Sequence, residues 1–502
     1  MNRVLMLCTL LLLGSAEAEH FRYAEDQAPA IINPLFTTSM SEARINELLF
    51  ESLFTDDKDL STVPMLAERA ELSEDGMTMD VWLRRGVQFH DGHPLTAEDV
   101  VFTISALKDQ RTLSTESGRV AWIASADQID AHRVRLTFAQ AQSRPQDKLF
   151  FKILPAHRFQ GTAIKRSDSF RANPIGTGPF RLDRYNEDNS ITLRRFGEHR
   201  ESGGLPEMVM REVSDKNYQA KLLLYESLEA LIRVLPRDLA VLENNRGVEL
   251  YPYQTNSWWY LGFNLDRAPF DDPRVRTAIG QMIDVEALLA PVGTGDVLSG
   301  PFVKSSPFYN HTVSPFEQDL SSAAGLLEQA GFRKDSSGIW SKNGQRLRMT
   351  VKAHRSLESS QEVVINLQSQ MQAAGLEAQV DFLDEPAWKE AVWRERDFDV
   401  ILSQWSFDRN EDVREQFHSR GSRNFTGYAN PEVDALLDRS RSARDPQDKK
   451  QALRELHAKV HADAPMLFLW TLDSYSAMSV NVRDVVIHPF YYFTWAADWR
   501  LQ

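Results

Sequence analysis

Hydrophobic and polar positions alternate most clearly between Met77 and Leu83, where apolar side chains stand at every second residue. A period of two is typical of a strand with one buried face. An Asp91-Gly92 turn follows, and a helix is predicted after it, because Thr96 can cap its N-terminus and apolar residues then recur at helical spacing. This stretch therefore predicts a strand, a turn and an amphipathic helix in succession.

The second half of the chain shows the same two periods in alternation. Helices are predicted over 317–330 and up to Gly375, and strands around 347–351, 376–382 and 398–404. Strands separated by helices of this length indicate a largely parallel sheet, whose ligands bind at the strand ends. With 502 residues the chain also exceeds what one hydrophobic core normally contains, so two or three domains are expected.

The N-terminal residues have the layout of a secretory signal peptide. Arg3 supplies a positive charge, 4–13 is an apolar run, and an A-x-A cleavage pattern ends at Ala18. The apolar run is about half the length that a membrane-spanning helix needs. Cleavage after Ala18 would remove Cys8, the single cysteine, which follows the bulky Leu7 and so does not resemble a lipidated cysteine. We therefore expect export to the periplasm as a protein without disulfides, thiolate sites or a lipid anchor.

Composition and motifs exclude several classes of function. The formal net charge is −14, and no dense run of Lys and Arg offsets it, which argues against nucleic acid or an anionic membrane as a partner. Neither a G-x-S-x-G elbow nor an H-E-x-x-H motif occurs, so a secreted hydrolase is disfavoured. His457 and His461 have i, i+4 spacing that could bridge a metal, but a surface pair is the preferred interpretation because no third ligand is evident. No enzyme activity, cofactor or metal is expected.

Four stretches carry a resemblance to a known family. The pattern F-x-D-G-x-P-x-T-A-x-D-V-x-F over 89–102 resembles the signature of extracellular solute-binding proteins of family 5, which include oligopeptide, dipeptide and nickel binders that feed ABC importers. The stretches 173–185, 248–283 and 398–417 are similar to further segments of that family. The chain departs from it at 225–229, where members usually carry a Gly-Glu-x-Asp turn.

The resemblance implies an α/β, bilobal periplasmic-binding-protein fold of type II, in its three-domain variant, with a ligand cleft between the lobes. The implied segments are a signal peptide at 1–18, a lobe I core formed by 19–62, 180–262 and 470–502, an inserted domain at 63–179 and a lobe II α/β domain at 263–469.

The function implied by the resemblance is that of a periplasmic solute-binding protein of an ABC importer. It would bind a small peptide or peptide-like solute between its lobes and deliver it to the permease subunits, as a monomer without direct membrane insertion. The same fold could instead bind a nickel or other metal chelate, haem or an oligosaccharide, or serve as a sensory ligand-binding subunit. His354 and His418, near the expected cleft, keep the chelate alternative open.

Two charged residues are candidates for the ends of a peptide ligand. By resemblance, Asp408 matches the aspartate that pairs with a peptide's amino terminus, and Arg355 lies where dipeptide binders supply an arginine to the ligand carboxylate. Arginine suits that task because its planar fork contacts both carboxylate oxygens. The alternative for Asp408 is a solvated loop carboxylate beside Glu411 and Asp412.

Aromatic and hydroxyl residues complete the candidate ligand-binding set. Trp258 and Trp259 stand just before the expected crossover between lobes and could form flat ligand walls, with core packing as an equal alternative. Trp405 belongs to the fourth family stretch. Ser39 lies in a loop that borders the ligand in the family, although its hydroxyl could simply cap the helix that follows.

Overall fold

A computed structural model describes residues 20–502 except 202, 226, 255–256, 356, 358, 407–408, 410 and 444. The signal peptide expected at 1–18 and the candidate residue Asp408 lie outside the described residues, so both stay predictions.

The strands of the described residues are numbered β1 to β24 in chain order. They are His20–Glu25, Phe54–Asp56, Thr62–Pro64, Ala67–Leu72, Thr78–Leu83, Ile123–Asp130, Arg133–Phe138, Phe180–Tyr185, Ile191–Arg195, Glu207–Glu212, Ala230–Leu231, Val248–Gln254, Ser257–Phe263, Gly295–Val297, Arg333–Lys334, Trp340–Lys342, Gln345–Arg346, Arg348–His354, Glu377–Leu383, Val400–Ser406, Met466–Phe468, Trp470–Ser479, Val482–Arg483 and Arg500–Leu501.

The α-helices of the same residues are numbered α1 to α12. They are Met40–Leu49, Ala97–Lys108, Lys216–Leu224, Pro236–Glu243, Pro273–Met282, Val285–Leu289, Leu320–Gln329, Ser360–Ala374, Glu385–Lys389, Arg414–Phe417, Pro431–Ser442 and Pro446–Asp463.

Three sheets organise the molecule. An eight-stranded sheet has the order β12-β22-β11-β1-β10-β9-β8, with β14 also paired to β22. A four-stranded antiparallel sheet, β4-β5-β7-β6, is inserted between β1 and β8 in the chain. A five-stranded sheet has the order β19-β18-β20-β13-β21. We call the parts built on the eight-stranded and five-stranded sheets lobe I and lobe II, and the part built on the four-stranded sheet the inserted domain.

The strand, turn and helix predicted at the start of the inserted domain are confirmed. In β5 the side chains of Met79, Val81 and Leu83 are buried while the alternate ones are half-buried, as a period of two requires. Helix α2 begins after Thr96, whose backbone and side chain engage Asp99 in a capping box.

The sheet of lobe II is mixed, whereas the sequence predicted a largely parallel one. Strand β18 is parallel to β19 and β20, as expected from the helices between them. Strand β13, however, is antiparallel to β20 and β21, because the chain enters it directly from the other lobe rather than through a crossover helix. The expected boundary at 262 had placed this strand in lobe I.

Both faces of the lobe II sheet are covered by apolar clusters. Trp259, Leu261 and Phe263 of β13 belong to one cluster, and Trp258 and Tyr260 belong to another. Successive side chains of a strand point to opposite faces, so a strand buried on both sides is hydrophobic at every position. Among the described residues, the helices are all too short or too polar to cross a membrane.

Candidate functional site

A buried ion pair joins the two lobes. Arg409 follows β20 of lobe II, and its guanidinium reaches Asp56 at the end of β2: Nε donates to Oδ2 at 2.8 Å, and Nη2 donates to Oδ1. The two side chains are 8% and 1% exposed. A two-point pair of this kind fixes both the distance and the orientation of its partners, so it holds the lobes in one relative position.

Asp147 of the inserted domain and Thr62 of β3, the strand that pairs with β2, contribute further contacts to the same guanidinium. Nη1 of Arg409 donates to the carbonyl oxygen of Asp147 at 3.0 Å, and Nη2 donates to Thr62 Oγ1 at 3.2 Å. The guanidinium also lies 3.9 Å from the ring centre of Phe150, a cation–π distance. This side chain therefore connects lobe II to both lobe I and the inserted domain.

Asp56 is held in place by the C-terminal part of the chain. The fully buried His488 has its Nε2 at 3.2 Å from Asp56 Oδ2, and its Nδ1 accepts from the backbone N–H groups of Phe490 and Tyr491, each at 3.0 Å. Because Nδ1 is an acceptor, this network assigns the proton to Nε2, which donates to Asp56. Trp495 Nε1 donates to the Asp56 carbonyl oxygen at 3.2 Å.

Two lysines with lowered pKa values lie near Asp147, whose carbonyl oxygen accepts from Arg409. Burial, together with the nearby Arg441, lowers the pKa of Lys148 in the inserted domain. Burial also lowers the pKa of Lys449 in lobe II, although Asp147 and Asp412 oppose the shift. Desolvation therefore outweighs the attraction of the neighbouring carboxylates at both lysines, as expected where lobe II covers the inserted domain.

Trp405 lies next to this contact, at the end of β20. It stands opposite Trp258 in the pairing of β13 with β20, and it is half-buried. The guanidinium of Arg423 lies 5.4 Å from the Trp405 ring centre. Trp405 thus packs against the apolar cluster that contains Trp258, four residues before Arg409, and its contact with ligand stays a prediction.

Comparisons with known proteins bear directly on this architecture. The family model described as "Bacterial extracellular solute-binding proteins, family 5 Middle" matches residues 61–425. This chain belongs to that family. The match covers well over half of the chain, so the resemblance of the four sequence stretches is confirmed, and the protein is a family 5 solute-binding protein.

Curated relatives match this family 5 protein over most of their length. The oligopeptide-binding protein AppA of Bacillus subtilis is 25% identical over 481 residues, covering 92% of this chain and 88% of the relative. The glutathione-binding protein GsiB of Escherichia coli O1:K1 is 25% identical over 519 residues, covering 97% and 98%.

Solved structures confirm the bilobal α/β fold of this family 5 protein. HbpA2 from Haemophilus parasuis has a TM-score of 0.86 at 18% identity and covers 96% of this chain and 100% of its own. AppA from Bacillus subtilis, in complex with a nonapeptide, has a TM-score of 0.76 at 24% identity and covers 96% and 99%.

The structure places Trp258 and Trp259 of this family 5 protein in apolar clusters. Trp258 is fully buried with its ring 5.1 Å from both Tyr260 and Phe468, and Trp259 is 2% exposed and stacks on Trp470 at 5.7 Å. Core packing was the alternative interpretation, and these contacts agree with it. Because the two rings point to opposite faces of β13, they cannot form one continuous ligand wall.

Ser39 is the N-cap of α1. Its Oγ accepts from the backbone N–H of Glu42 at 3.2 Å, and the Glu42 carboxylate accepts from the N–H of Ser39 at 3.1 Å, which completes a capping box. The same carboxylate accepts from the N–H of Thr38 at 2.7 Å. The hydroxyl at 39 therefore has the structural role that the sequence offered as an alternative, and a ligand role stays a prediction.

Arg355 is exposed just after β18. Its backbone N–H donates to Leu383 O at 2.9 Å, and its guanidinium lies 5.8 Å from the ring centre of Phe382. Its neighbours at 356 and 358 are outside the described residues. An exposed guanidinium at a strand end is available to a carboxylate, which keeps the assignment of Arg355 a prediction.

The prediction that His457 and His461 form a surface pair on α12 is wrong for His457, which is fully buried. Its Nε2 lies 2.9 Å from Ser299 Oγ, and its Nδ1 accepts from Asn310 N at 3.4 Å. Burial lowers the pKa of His457 to about 3, helped by His461 and His311. Helical spacing identified one face of α12 correctly, but that face packs into lobe II and both nitrogens of His457 are engaged. His418 is also buried, whereas His354 is half-buried.

Sequence reasoning missed Arg409, Asp56 and His488. Asp56 lies in an acidic stretch whose composition is typical of a solvated turn, and His488 belongs to no recognisable motif. The one available signal was the position of Arg409 directly after Asp408 in a stretch that already resembled the family.

Proposed function

We propose that this protein is the periplasmic receptor of an ABC importer, which binds a small peptide or peptide-like solute between its lobes and delivers it to the permease subunits. Support comes from the names of its relatives, which bind oligopeptides and glutathione. The contact that carries the proposal is the buried Arg409–Asp56 pair, because a receptor of this kind needs a defined closed state.

Ligand binding would shift the population of the protein from the open to the closed state. A ligand that contacts both lobes gains its full set of interactions only when the cleft is closed, so it stabilises that state over the open one. The lobe-bridging pair selects one closed arrangement, and Arg409 is adjacent in sequence to Asp408. Closure would thus bring the proposed amino-terminus ligand, Asp408, into a water-poor cleft where its pairing with an ammonium group is stronger.

Selectivity would rest on the ends of the peptide. Asp408 would pair with the amino terminus, Arg355 would contact the carboxylate, and Trp405 would pack against a side chain. Main-chain groups would hold the peptide backbone, so the receptor would tolerate varied side chains. The protein would act as an exported monomer, with the signal peptide removed after Ala18.

The proposal is tested by titrating Asp408→Asn and the wild type with matched peptides. The probes are a Ser-Thr-Ser-Ala tetrapeptide, its N-acetylated form, reduced glutathione and the nickel–histidine chelate, all measured by calorimetry. Asp408→Asn should lower the affinity for the free tetrapeptide and leave the affinity for the acetylated one nearly unchanged. Asp412→Asn, four residues away, is the matched control and should change neither.

Three results would contradict the proposal. Equal loss for both peptides in Asp408→Asn would remove the assigned role of that residue. If only the nickel chelate bound, the ligand would be a metal chelate and not a peptide. Cleavage of a probe during the titration would make the protein a hydrolase.

A further inference from the structure

Three metal-ligating side chains meet on the inserted domain, away from the cleft. Asp91 and His93 belong to the turn between β5 and α2, and His157 lies in a short 3₁₀ helix at Ala156–Arg158. One ligand atom from each residue lies within 4.8 Å of the other two. We propose that these side chains form a site for one divalent cation of the zinc type.

The separations fit a shared cation. His157 Nε2 lies 2.8 Å from Asp91 Oδ2, and His93 Nδ1 lies 3.4 Å from Asp91 Oδ1. Ligands about 2.0–2.2 Å from a tetrahedral Zn²⁺ are separated from one another by roughly 3.3–3.6 Å. The His93 side chain is 58% exposed and free to rotate, and opening of the Asp91–His157 hydrogen bond would let all three atoms enter one coordination shell.

Backbone hydrogen bonds fix the turn that carries Asp91 and His93. Gly92 has a positive φ of 86° and its N–H donates to Phe89 O, while Phe89 N–H donates to His93 O, each at 2.8 Å. The His93 and His157 rings stack at 3.9 Å with an interplanar angle of 16°, and the buried Phe89 lies edge-on to His157 at 5.8 Å. A cation lies in the plane of each imidazole that binds it, so one of the two stacked rings must rotate about its side-chain bonds before both can bind the same ion.

The donor set selects the class of cation. Two imidazoles and one carboxylate suit zinc and its neighbours rather than Ca²⁺ or Mg²⁺, which prefer oxygen ligands. All three residues are exposed, so water can fill the fourth position. One group opposes binding: Arg158 Nη1 lies 3.8 Å from Asp91 Oδ2 and places a positive charge beside the site.

Arg158 also offers a variant that should bind the cation more tightly than the wild type does. Replacement of Arg158 by glutamine should strengthen cation binding a few-fold, because it removes repulsion at a partly exposed site. A structural hydrogen bond between Asp91 and His157 without a metal role would give no such gain.

The decisive experiment is calorimetric titration of the tag-free protein with ZnCl₂ in a non-chelating buffer. The wild type should show one saturable site, and His93→Ala should weaken it by at least about tenfold, by analogy with the effect of lost metal-site groups. His93→Ala leaves the bond between Asp91 and His157 intact, so the domain should fold normally, as circular dichroism would check. His311→Ala, which removes an exposed histidine elsewhere, is the matched control and should bind as the wild type does.

The inference is overturned if no saturable Zn²⁺ binding occurs, or if His93→Ala binds as tightly as the wild type. Loss of Zn²⁺ binding in His311→Ala would likewise show that the cation binds at a different site. Peptide affinity is a separate readout, because no residue of the cluster contacts the Arg409–Asp56 pair, so failure of this inference leaves the proposed receptor function untouched.

Discussion

Arg409 and Asp56 form a two-point ion pair between residues 353 positions apart in the chain, and it lies almost entirely out of contact with water. Such a pair gains its full strength only while the lobes are together. In the proposed receptor, separation of the lobes would let water solvate both groups, so the pair would act on the equilibrium between open and closed states rather than on the folding of either lobe.

Replacing Arg409 by alanine should therefore favour the open state. Asp56 would be buried on closure without its main partner, and removing one member of a buried pair costs about 3–5 kcal/mol. Peptide affinity should fall by at least about tenfold, which corresponds to 1.4 kcal/mol, and calorimetry measures it. The melting temperature of the unliganded protein should change much less.

A double variant provides the control for this prediction. Asp56→Asn with Arg409→Met removes both charges and keeps an oxygen that can accept from His488, so affinity should recover part of the loss seen in Arg409→Ala. Unchanged peptide affinity in Arg409→Ala would show that the pair plays no part in closure.

Much of the local structure could be predicted from the sequence, because its determinants are local. The alternation in β5, the cap at Thr96 and the positive φ of Gly375 at the end of α8 all follow from residues within a few positions. The contact of Asp56 with His488 joins positions 432 apart and leaves no periodic trace. Likewise, helical spacing could place His457 and His461 on one face of α12 but could not say which face is buried.

Less of the candidate site than of the fold could be predicted from the sequence. Resemblance supplied Asp408 and Arg355, whose ligand roles stay predictions. It could not distinguish a capping Ser39 from a ligand-binding one, since the same hydroxyl chemistry serves both.

Ser39→Ala distinguishes those two roles. Loss of the cap should lower the free energy of unfolding by about 0.5–2 kcal/mol, while peptide affinity should be unaltered because the hydroxyl already serves the backbone of α1. Urea unfolding and calorimetry measure the two quantities. A fall in affinity with unchanged stability would assign Ser39 to the ligand instead.

Gly176 packs too closely against α1 to accept a side chain. A Cβ at this position would lie 1.9 Å from the carbonyl oxygen of Leu49, a backbone atom that cannot move aside. Gly176→Ala should destabilise the protein by more than the roughly 1–3 kcal/mol typical of overpacking, or prevent folding. Gly197→Ala is the control, since its Cβ would meet nothing within 4 Å. Equal stability of the two variants would refute this account of the close approach of Gly176 to α1.

Glu51 should make stability depend on pH in the acid range. Burial alone would raise its pKa, but hydrogen bonds and charges from His199 and Arg200 lower it to about 2, against an ordinary value of 4.5. A carboxyl whose pKa is depressed in the folded state stabilises the fold above its unfolded pKa, and this contribution is lost as pH falls from about 4.5 towards 2.

The measurement is urea unfolding of the wild type and Glu51→Gln between pH 6 and pH 2. The wild type should lose on the order of 3 kcal/mol through this group, by the linkage of pKa to stability, and Glu51→Gln should start less stable and show a flatter profile. Glu198→Gln, an exposed neighbour, should follow the wild-type profile. A Glu51→Gln profile parallel to that of the wild type would contradict the assignment.

The proposed receptor closes its two lobes on an intact peptide-like solute. Native mass spectrometry of the purified protein, mixed with a library of short peptides carrying free termini, measures this binding. The protein should retain peptides at a stoichiometry of one and release them unchanged on denaturation. Retention of none of them, or release of cleaved fragments, would contradict the proposed function.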